Sequence, residues 1–167
     1  ADNQFYDMEI NLRHIKNSDF YKVFSITIDL FYRQYRVALV GDFYSYDEDC
    51  AILDDEILTI LQNDTITQLR ITDGSILLFK EFDCFGCNMG IYRVQQGYLI
   101  CGEIEITMLD LNFNKKWQFS GKDIFVSVSG KTAFQLCEES VKLYDIEDHF
   151  YEIDFDGKLI SENQQSK

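Results

Sequence analysis

A pattern of apolar residues that recurs every 35 to 40 residues constrains this chain more than any other feature. Its clearest copy lies at 97–121, where Tyr98 to Cys101, Ile104 to Leu111 and Lys116 to Phe119 are predicted to form three short strands joined by tight turns. A shift of 40 residues back or 35 forward aligns ten further positions with this copy, and only Gln135 among them breaks the apolar rule. The aligned positions are Leu58, Ile60, Ile66, Leu69, Ile71, Ala133, Gln135, Val141, Tyr144 and Ile146.

Each copy turns again before a further strand, at Asp73-Gly74, Phe113-Asn114 and Asp148-His149. Gly and Asn accept the positive φ that hairpin turns require, so the first two turns have the expected chemistry. Short antiparallel strands at this period are typical of propeller blades. The sequence therefore predicts an all-β fold, a small or incomplete β-propeller-like stack of antiparallel sheets.

We predict a single domain, 1–167, with three clear blade-like repeats at 54–82, 90–121 and 123–157. The polar tail at 161–167 is predicted to fray. Because a closed ring usually needs at least four blades, either the N-terminal region supplies a divergent fourth blade or the sheets form an open arc with unpaired edge strands.

Residues 1–50 are predicted to form a divergent N-terminal hairpin region. An edge strand is expected near Tyr6 to Leu12, followed by a hairpin of Val23 to Leu30 and Tyr35 to Val40 with its turn at Arg33-Gln34. The hairpin strands are rich in β-branched and aromatic residues, which favour a pleated sheet.

The repeats resemble the degenerate blades of quinoprotein-like and WD-repeat-like propellers. Met-Leu-Asp-Leu-Asn at 108–112 with Trp117, and Lys-Leu-Tyr-Asp-Ile at 142–146 with Phe155-Asp156-Gly157-Lys158, match the usual text of such blades. That text is an apolar strand ending in Leu-Asp or Tyr-Asp, a turn and an aromatic strand. The resemblance implies a fold and no activity, because no cofactor-binding or catalytic residue belongs to the blade motif.

Charge and cysteine content narrow the class of partner and the compartment. The chain has 29 acidic and 15 basic side chains, a formal net charge of −14, which opposes binding to nucleic acid or an anionic membrane and favours a basic protein or a cation. Five cysteines cannot all pair, which is unlike a secreted disulfide framework, and Cys101 and Cys137 are expected to be reduced and buried. A cytoplasmic location is expected, because no leader-like or membrane-spanning apolar run is visible.

Catalytic and ligand-binding motifs are sparse. Cys84-x-x-Cys87 has the spacing of half a zinc knuckle, but no second such pair follows it. His14 and His149 lie far apart in sequence, and His149 is expected to be solvated in a turn. No phosphate-cradling glycine loop is present. We therefore predict a protein that is not an enzyme, with no cofactor, no metal and no small-molecule substrate.

An acidic and aromatic stretch at 42–56 is the predicted partner-binding region. The acidic turns of the last repeat would join it on one negative face if all of these turns shared a rim. Aromatic anchors within a surface of one charge suit rapid capture of a basic protein. The predicted partner-binding residues are Phe43, Tyr44, Tyr46, Asp47, Glu48, Asp49, Asp54, Asp55, Glu56, Glu138, Glu139, Glu147 and Asp148.

In character, a small and strongly acidic β protein of this kind resembles the immunity proteins of bacterial polymorphic toxin and contact-dependent inhibition systems. That resemblance implies an inhibitor that sequesters and neutralises a cationic toxin domain, such as a nuclease, by masking its active site. The alternative is an intracellular scaffold or adaptor that binds a peptide or protein at a propeller-like edge or pocket. Salt separates the two, because charge-steered capture slows at high salt and backbone pairing depends on it weakly.

Overall fold

The computed structural model describes residues 5–14, 22–41 and 48–164, which form fifteen β-strands and one short 3-10 helix, Glu48–Cys50. The strands make four sheets: one of three strands and three of four strands. The chain divides into two compact units, Ala1–Glu81 (unit 1) and Phe82–Lys167 (unit 2), with two sheets in each. The all-β prediction is confirmed for the described part of the chain.

The first sheet of unit 1 contains β1 (Met8–Ile10), β2 (Lys22–Leu30) and β3 (Arg33–Gly41), in the order β1-β3-β2. β1 runs parallel to β3, and β2 and β3 form the predicted hairpin. The hairpin turn lies at 31–32 instead of 33–34, because Arg33 already pairs with Leu30. Both turn residues are exposed aromatics, so the polar turn chemistry that guided the prediction is missing at the tip.

The second sheet of unit 1 is an antiparallel meander of β4 (Ala51–Asp54), β5 (Ile57–Gln62), β6 (Thr65–Arg70) and β7 (Ile76–Glu81). The predicted turn at Asp73-Gly74 is confirmed, with Gly74 at a φ of 77°. β4 precedes the start of the predicted repeat at 54, so the sheet has one more strand than the pattern indicated.

The first sheet of unit 2 is a second meander, formed by β8 (Asn88–Val94), β9 (Gly97–Gly102), β10 (Glu105–Leu109) and β11 (Lys115–Ser120). Its last three strands are the three predicted at 97–121. Asp110 shapes the turn after β10, because one oxygen of its carboxylate accepts hydrogen bonds from the backbone NH groups of Asn112 and Asn114, each 2.8 Å long.

The last sheet contains β12 (Phe134–Leu136), β13 (Ser140–Tyr144), β14 (His149–Asp154) and β15 (Leu159–Gln164). The predicted third repeat ended at 157, one strand before the sheet ends. Residues 161–164, predicted to fray, instead complete β15 and pair with β14. The turn at Asp148-His149 that the pattern aligned with Phe113-Asn114 joins the second and third strands here, whereas 113–114 joins the third and fourth strands of its own sheet.

Each unit has its own buried core. The unit 1 cluster is formed by Ile10, Ile26, Ile28, Tyr35, Val37, Leu39, Ile60 and Leu69. The unit 2 cluster is formed by Val94, Leu99, Cys101, Ile106, Met108, Phe125, Val141, Leu143, Tyr151 and Ile153. In both units the clustered residues come from the two sheets, except for Phe125, which lies in the segment between β11 and β12.

Candidate functional site

The predicted partner-binding residues of unit 1 are only partly described. Phe43, Tyr44, Tyr46 and Asp47 lie outside the described residues, and Glu48 is described only as the start of the 3-10 helix. Asp49 is exposed within that helix. Asp54, Asp55 and Glu56 are exposed at the turn between β4 and β5, where Asp55 has a φ of 51°. Three consecutive carboxylates therefore project from one end of this sheet.

The acidic turns of the last sheet do not share one rim. Glu138 and Glu139 lie in the turn before β13, and Glu147 and Asp148 lie in the turn after it. Because β13 is a single strand between these turns, the two pairs sit at opposite ends of the sheet. Consecutive turns of an antiparallel meander always alternate ends, which the sequence reasoning did not apply.

A cleft of about 490 Å³ opens at the Glu138 end of the last sheet and is the main candidate site. Three turns surround it: the one between β8 and β9, the one between β12 and β13, and the one between β14 and β15. The lining residues are Arg93, Val94, Gln95, Gln96, Leu136, Cys137, Glu138, Glu139, Asp154, Phe155 and Asp156. We name it the acidic cleft. Glu138 and Glu139 are predicted partner-binding residues, whereas Asp154 and Asp156 were expected on the same negative face without being predicted contacts.

Hydrogen bonds hold the turn that carries Asp156 in place. The Asp154 carboxylate accepts bonds from the backbone NH groups of Asp156 at 3.0 Å and Lys158 at 2.8 Å. The Trp117 indole NH donates to the carbonyl of Phe155 at 3.0 Å. The cleft wall at Phe155 is thus tied both to its own turn and to β11, so the site is largely formed before any ligand arrives.

Arg93 is the one basic residue that lines the acidic cleft, and its guanidinium donates hydrogen bonds to backbone carbonyls. Its Nη1 donates to the carbonyls of Val94 at 2.7 Å and Gly97 at 2.8 Å, and the group lies 4.9 Å from the centre of the Tyr98 ring. The Oε1 atom of Gln96 is itself buried and has no hydrogen-bond partner among the described residues, so it is not presented to a ligand. The cleft therefore offers its carboxylates, and no amide oxygen of Gln96, to a ligand that donates hydrogen bonds.

A second polar group in unit 2 is fully enclosed. Asp145 accepts hydrogen bonds from the backbone NH and ring Nδ1 of His149 at 2.9 Å each and from the Tyr151 hydroxyl at 3.0 Å. His149 is only 4% exposed, which corrects the prediction that it is solvated. Burial raises the pKa of Asp145, but the hydrogen bonds outweigh burial and hold that pKa below its ordinary value. Burial also raises the pKa of Tyr151, to about 12.

This enclosed group is a structural feature. Its atoms bond to one another, and the Tyr151 hydroxyl also accepts from the backbone NH of Lys122 at 3.0 Å. Since Asp145 is 0% exposed, no substrate reaches it in this conformation. The cluster fixes the segment after β11 against the last sheet.

The five cysteines, which all lie within the described residues, form no disulfide, and Cys101 is buried as predicted. Cys137 is only partly buried, because it lies at the acidic cleft instead of in the core. Cys84 and Cys87 are also partly buried. Across the described ranges, no group of three or more His, Cys, Asp and Glu side chains is placed to hold a metal ion. In the same ranges no helix has the length and apolarity needed to cross a membrane.

Comparison with solved structures gives a match to a europium-containing methanol dehydrogenase, with a TM-score of 0.51 and 12% sequence identity, covering 97% of this chain and 30% of that chain. This match supports a propeller-like fold for this chain. BamB from Moraxella catarrhalis, also a propeller, has a TM-score of 0.47 and 14% identity over 74% of this chain and 37% of its own. The chain thus spans well under half of each protein. No protein-family model and no curated protein matches the sequence significantly.

Proposed function

We propose that the chain is a non-enzymatic binding protein that captures a basic protein in the acidic cleft of unit 2. The observation that carries this proposal is the arrangement of the cleft, in which four acidic side chains face a space whose one basic lining residue is bonded to backbone carbonyls. A cation entering the cleft therefore meets four acidic side chains and one guanidinium, so the excess charge of the lining is negative.

The walls of the cleft suit a lysine or arginine side chain in particular. Val94, Leu136 and Phe155 provide apolar surface, against which the methylene stem of a long basic side chain packs. Glu138, Glu139 and Asp156 are exposed at the rim, where they can form charge-assisted hydrogen bonds with the head group. The net charge of −14 would accelerate the approach of such a partner at low salt.

In its finer form, the proposal is that the basic partner is a bacterial toxin domain, such as a nuclease, whose active site the chain masks. Strong acidity in a small β protein supports this reading, since an enzyme that binds nucleic acid presents a basic surface. The protein would then act as an immunity protein in the cytoplasm of the cell that makes the toxin.

Two matched double variants test the cleft, one at each end of β13. The tagged protein is used to capture partners from its source lysate, and the retained basic protein is purified for binding measurements at about 50 mM and about 500 mM salt. We expect E138Q/E139Q to weaken binding about tenfold at low salt, and E147Q/D148N to change it less than about twofold. Equal losses for both variants would show a diffuse charge effect and contradict the cleft.

The toxin reading has its own test. The captured partner is expressed in bacteria with and without the chain. We expect growth to stop without the chain and to recover with it, and E138Q/E139Q to protect less well. A partner that is harmless alone would refute the immunity function and leave the binding function standing.

A scaffold or adaptor that binds a peptide is the second candidate function. The observation in its favour is that, among the described residues of unit 1, β2 is the last strand of its sheet and lies beside an apolar groove. Binding there would depend on backbone pairing and therefore weakly on salt.

A further inference from the structure

The first sheet differs from the other three in strand number. Among the described residues it has three strands in the order β1-β3-β2, whereas each of the other sheets has four. In this part of the chain β2, Lys22–Leu30, is therefore an edge strand of nine residues, and β3 is the described strand that pairs with it. An edge strand of this length is a template for another extended segment.

A groove of about 260 Å³ lies along the second half of β2. Five consecutive β2 residues line it, together with Leu53, Leu58 and Ile71. The β2 residues are Ile26, Thr27, Ile28, Asp29 and Leu30. Because successive side chains of a strand point to opposite faces, a groove lined by consecutive residues follows the edge of the strand. The space is thus placed where an added strand would run.

The lining of this groove indicates which segment would fit. Leu53 is 59% exposed, although it faces a space bounded by other aliphatic side chains. Asp29 is the one charged lining residue, and the carboxylates of Asp54, Asp55 and Glu56 follow Leu53 directly along the chain. An occupant of the groove therefore gains from apolar side chains facing the aliphatic wall and from basic side chains facing the carboxylates.

We propose that an extended segment of another protein, with alternating apolar and basic residues, adds to β2 as a fourth strand of this sheet. Backbone hydrogen bonds to β2 would supply affinity, and the aliphatic wall and the carboxylates would select the sequence. A second copy of this chain is a poorer occupant, because each copy carries a net charge of −14. The inference rests on the second candidate function and is independent of the acidic cleft.

The probe for this proposal is a capped peptide of about eight alternating valine and lysine residues, close to the usual length of a strand. It is titrated into the isotopically labelled protein while backbone amide signals are recorded. We expect the largest shifts at Ser25 to Leu30. N-methylation of alternate peptide amides should weaken binding about tenfold, because it removes backbone donors while keeping charge and side chains. Replacement of lysine by glutamate should weaken it at least as much.

Two single variants locate the peptide on the protein. Leu53→Gln replaces apolar surface on the aliphatic wall with a neutral polar group, adds no charge, and should weaken peptide binding about tenfold or more. Leu77→Gln is the matched control, because Leu77 is 39% exposed on β7 and does not line the groove. If N-methylation leaves the affinity of the unaltered protein unchanged, or if the peptide fails to bind at about 1 mM, the proposal is overturned.

Two further outcomes would also overturn it. Loss of peptide binding in E138Q/E139Q, with no loss in Leu53→Gln, would place the peptide in the acidic cleft. Sedimentation that shows a dimer of the unaltered chain, and a monomer for Leu53→Gln, would show that a second copy occupies the groove. Neither outcome contradicts capture of a basic protein by the acidic cleft, so the two functions fail separately.

Discussion

The two units bury different chemistry in their cores. The unit 1 cluster is aliphatic except for Tyr35, whose hydroxyl donates to the carbonyl of Ile71 at 2.6 Å. The unit 2 cluster includes Phe125 and Tyr151 and is flanked by the partly buried rings of Tyr92, Trp117, Phe119, Phe134 and Phe155. It also lies beside the enclosed carboxylate of Asp145. Among the described residues, unit 1 buries neutral polar groups such as Thr59 and Gln62, whereas unit 2 also buries the carboxylates of Glu105 and Asp145.

The difference teaches how each unit specifies its structure. Aliphatic cores tolerate repacking as long as volume is kept, so unit 1 has latitude in its side chains. The surroundings of a buried carboxylate tolerate little change, because the carboxylate is stable inside a protein only while its hydrogen bonds are made. In unit 2 those bonds connect the last sheet to the segment after β11 and so support the part of the molecule that contains the acidic cleft.

Asp145→Ala is expected to have the largest effect on stability. It removes the acceptor for His149 and Tyr151 and leaves buried donors unpaired, so the free energy of unfolding should fall by about 4 kcal/mol. Urea unfolding followed by the fluorescence of Trp117, the single tryptophan and a residue of unit 2, measures this loss. The neighbouring control, Asp148→Asn, should lose less than about 1 kcal/mol, because its contacts are near the surface and Asn accepts the φ of 64° at this position. Similar losses for both variants would remove the distinction between the units.

Leu69→Ala is the corresponding test of unit 1. Leu69 is fully buried in the aliphatic cluster, so truncation should lower the free energy of unfolding by about 3 kcal/mol through lost transfer energy and a residual cavity. Far-ultraviolet circular dichroism in urea gives the measurement. Leu69→Met, which keeps the volume, should recover most of the loss. If Leu69→Met were as unstable as Leu69→Ala, unit 1 would be as geometrically demanding as unit 2.

The same contrast between the units explains how much of the fold could be predicted from the sequence. The strands of 57–81 and 97–120 followed from apolar periodicity and from turn residues such as Gly74, because each strand hides one face. In the last sheet, Asp145 and Asp154 both close turns by accepting bonds from the backbone NH groups two and four residues later. The repeat pattern aligned the turn after Asp145 with the last turn of the other copies, although the turn after Asp154 is the equivalent one. The predicted repeat was therefore one strand too short.

The acidic cleft could not be predicted, for a related reason. It joins turns that are far apart in sequence, from Gln96 to Asp156, and only strand order shows which turns share an end. Charge alone grouped Glu138 with Glu147, although β13 separates them. The burial of His149 was missed because the carboxylate that encloses it lies four residues earlier and was read as part of a strand motif.

Alkaline pH should reduce the contribution of Tyr151 to the stability of unit 2. Its pKa is about 12 in the folded protein and about 10 in the unfolded chain, so the folded state keeps its proton more tightly. A raised pKa gives stability that is complete below pH 10 and is lost as pH rises toward 12, amounting to about 1 kcal/mol by pH 11. Tyr151→Phe removes a hydroxyl that donates to Asp145 and accepts from Lys122, so it should be less stable than the unaltered protein at pH 8. The gap should narrow by about 1 kcal/mol at pH 11, because only the unaltered protein loses stability as Tyr151 ionises. If urea unfolding shows the same difference in the free energy of unfolding between the two proteins at pH 8 and pH 11, this assignment is wrong.

Arg13 provides the smallest expected effect and the surface counterpart of Asp145. Its guanidinium bridges Asp64 at 2.9 Å and Glu81 at 3.0 Å, with the Arg13 side chain 26% exposed. A double-mutant cycle of Arg13→Met and Asp64→Asn should give a coupling of about 0.5 kcal/mol, measured by urea unfolding. Both residues belong to unit 1, and partial access to water screens their attraction. A coupling as large as the loss in Asp145→Ala would mean that unit 1 also depends on a specific polar contact. The small value expected instead follows from burial, since the same kinds of charged group are strongly constrained only where water is excluded.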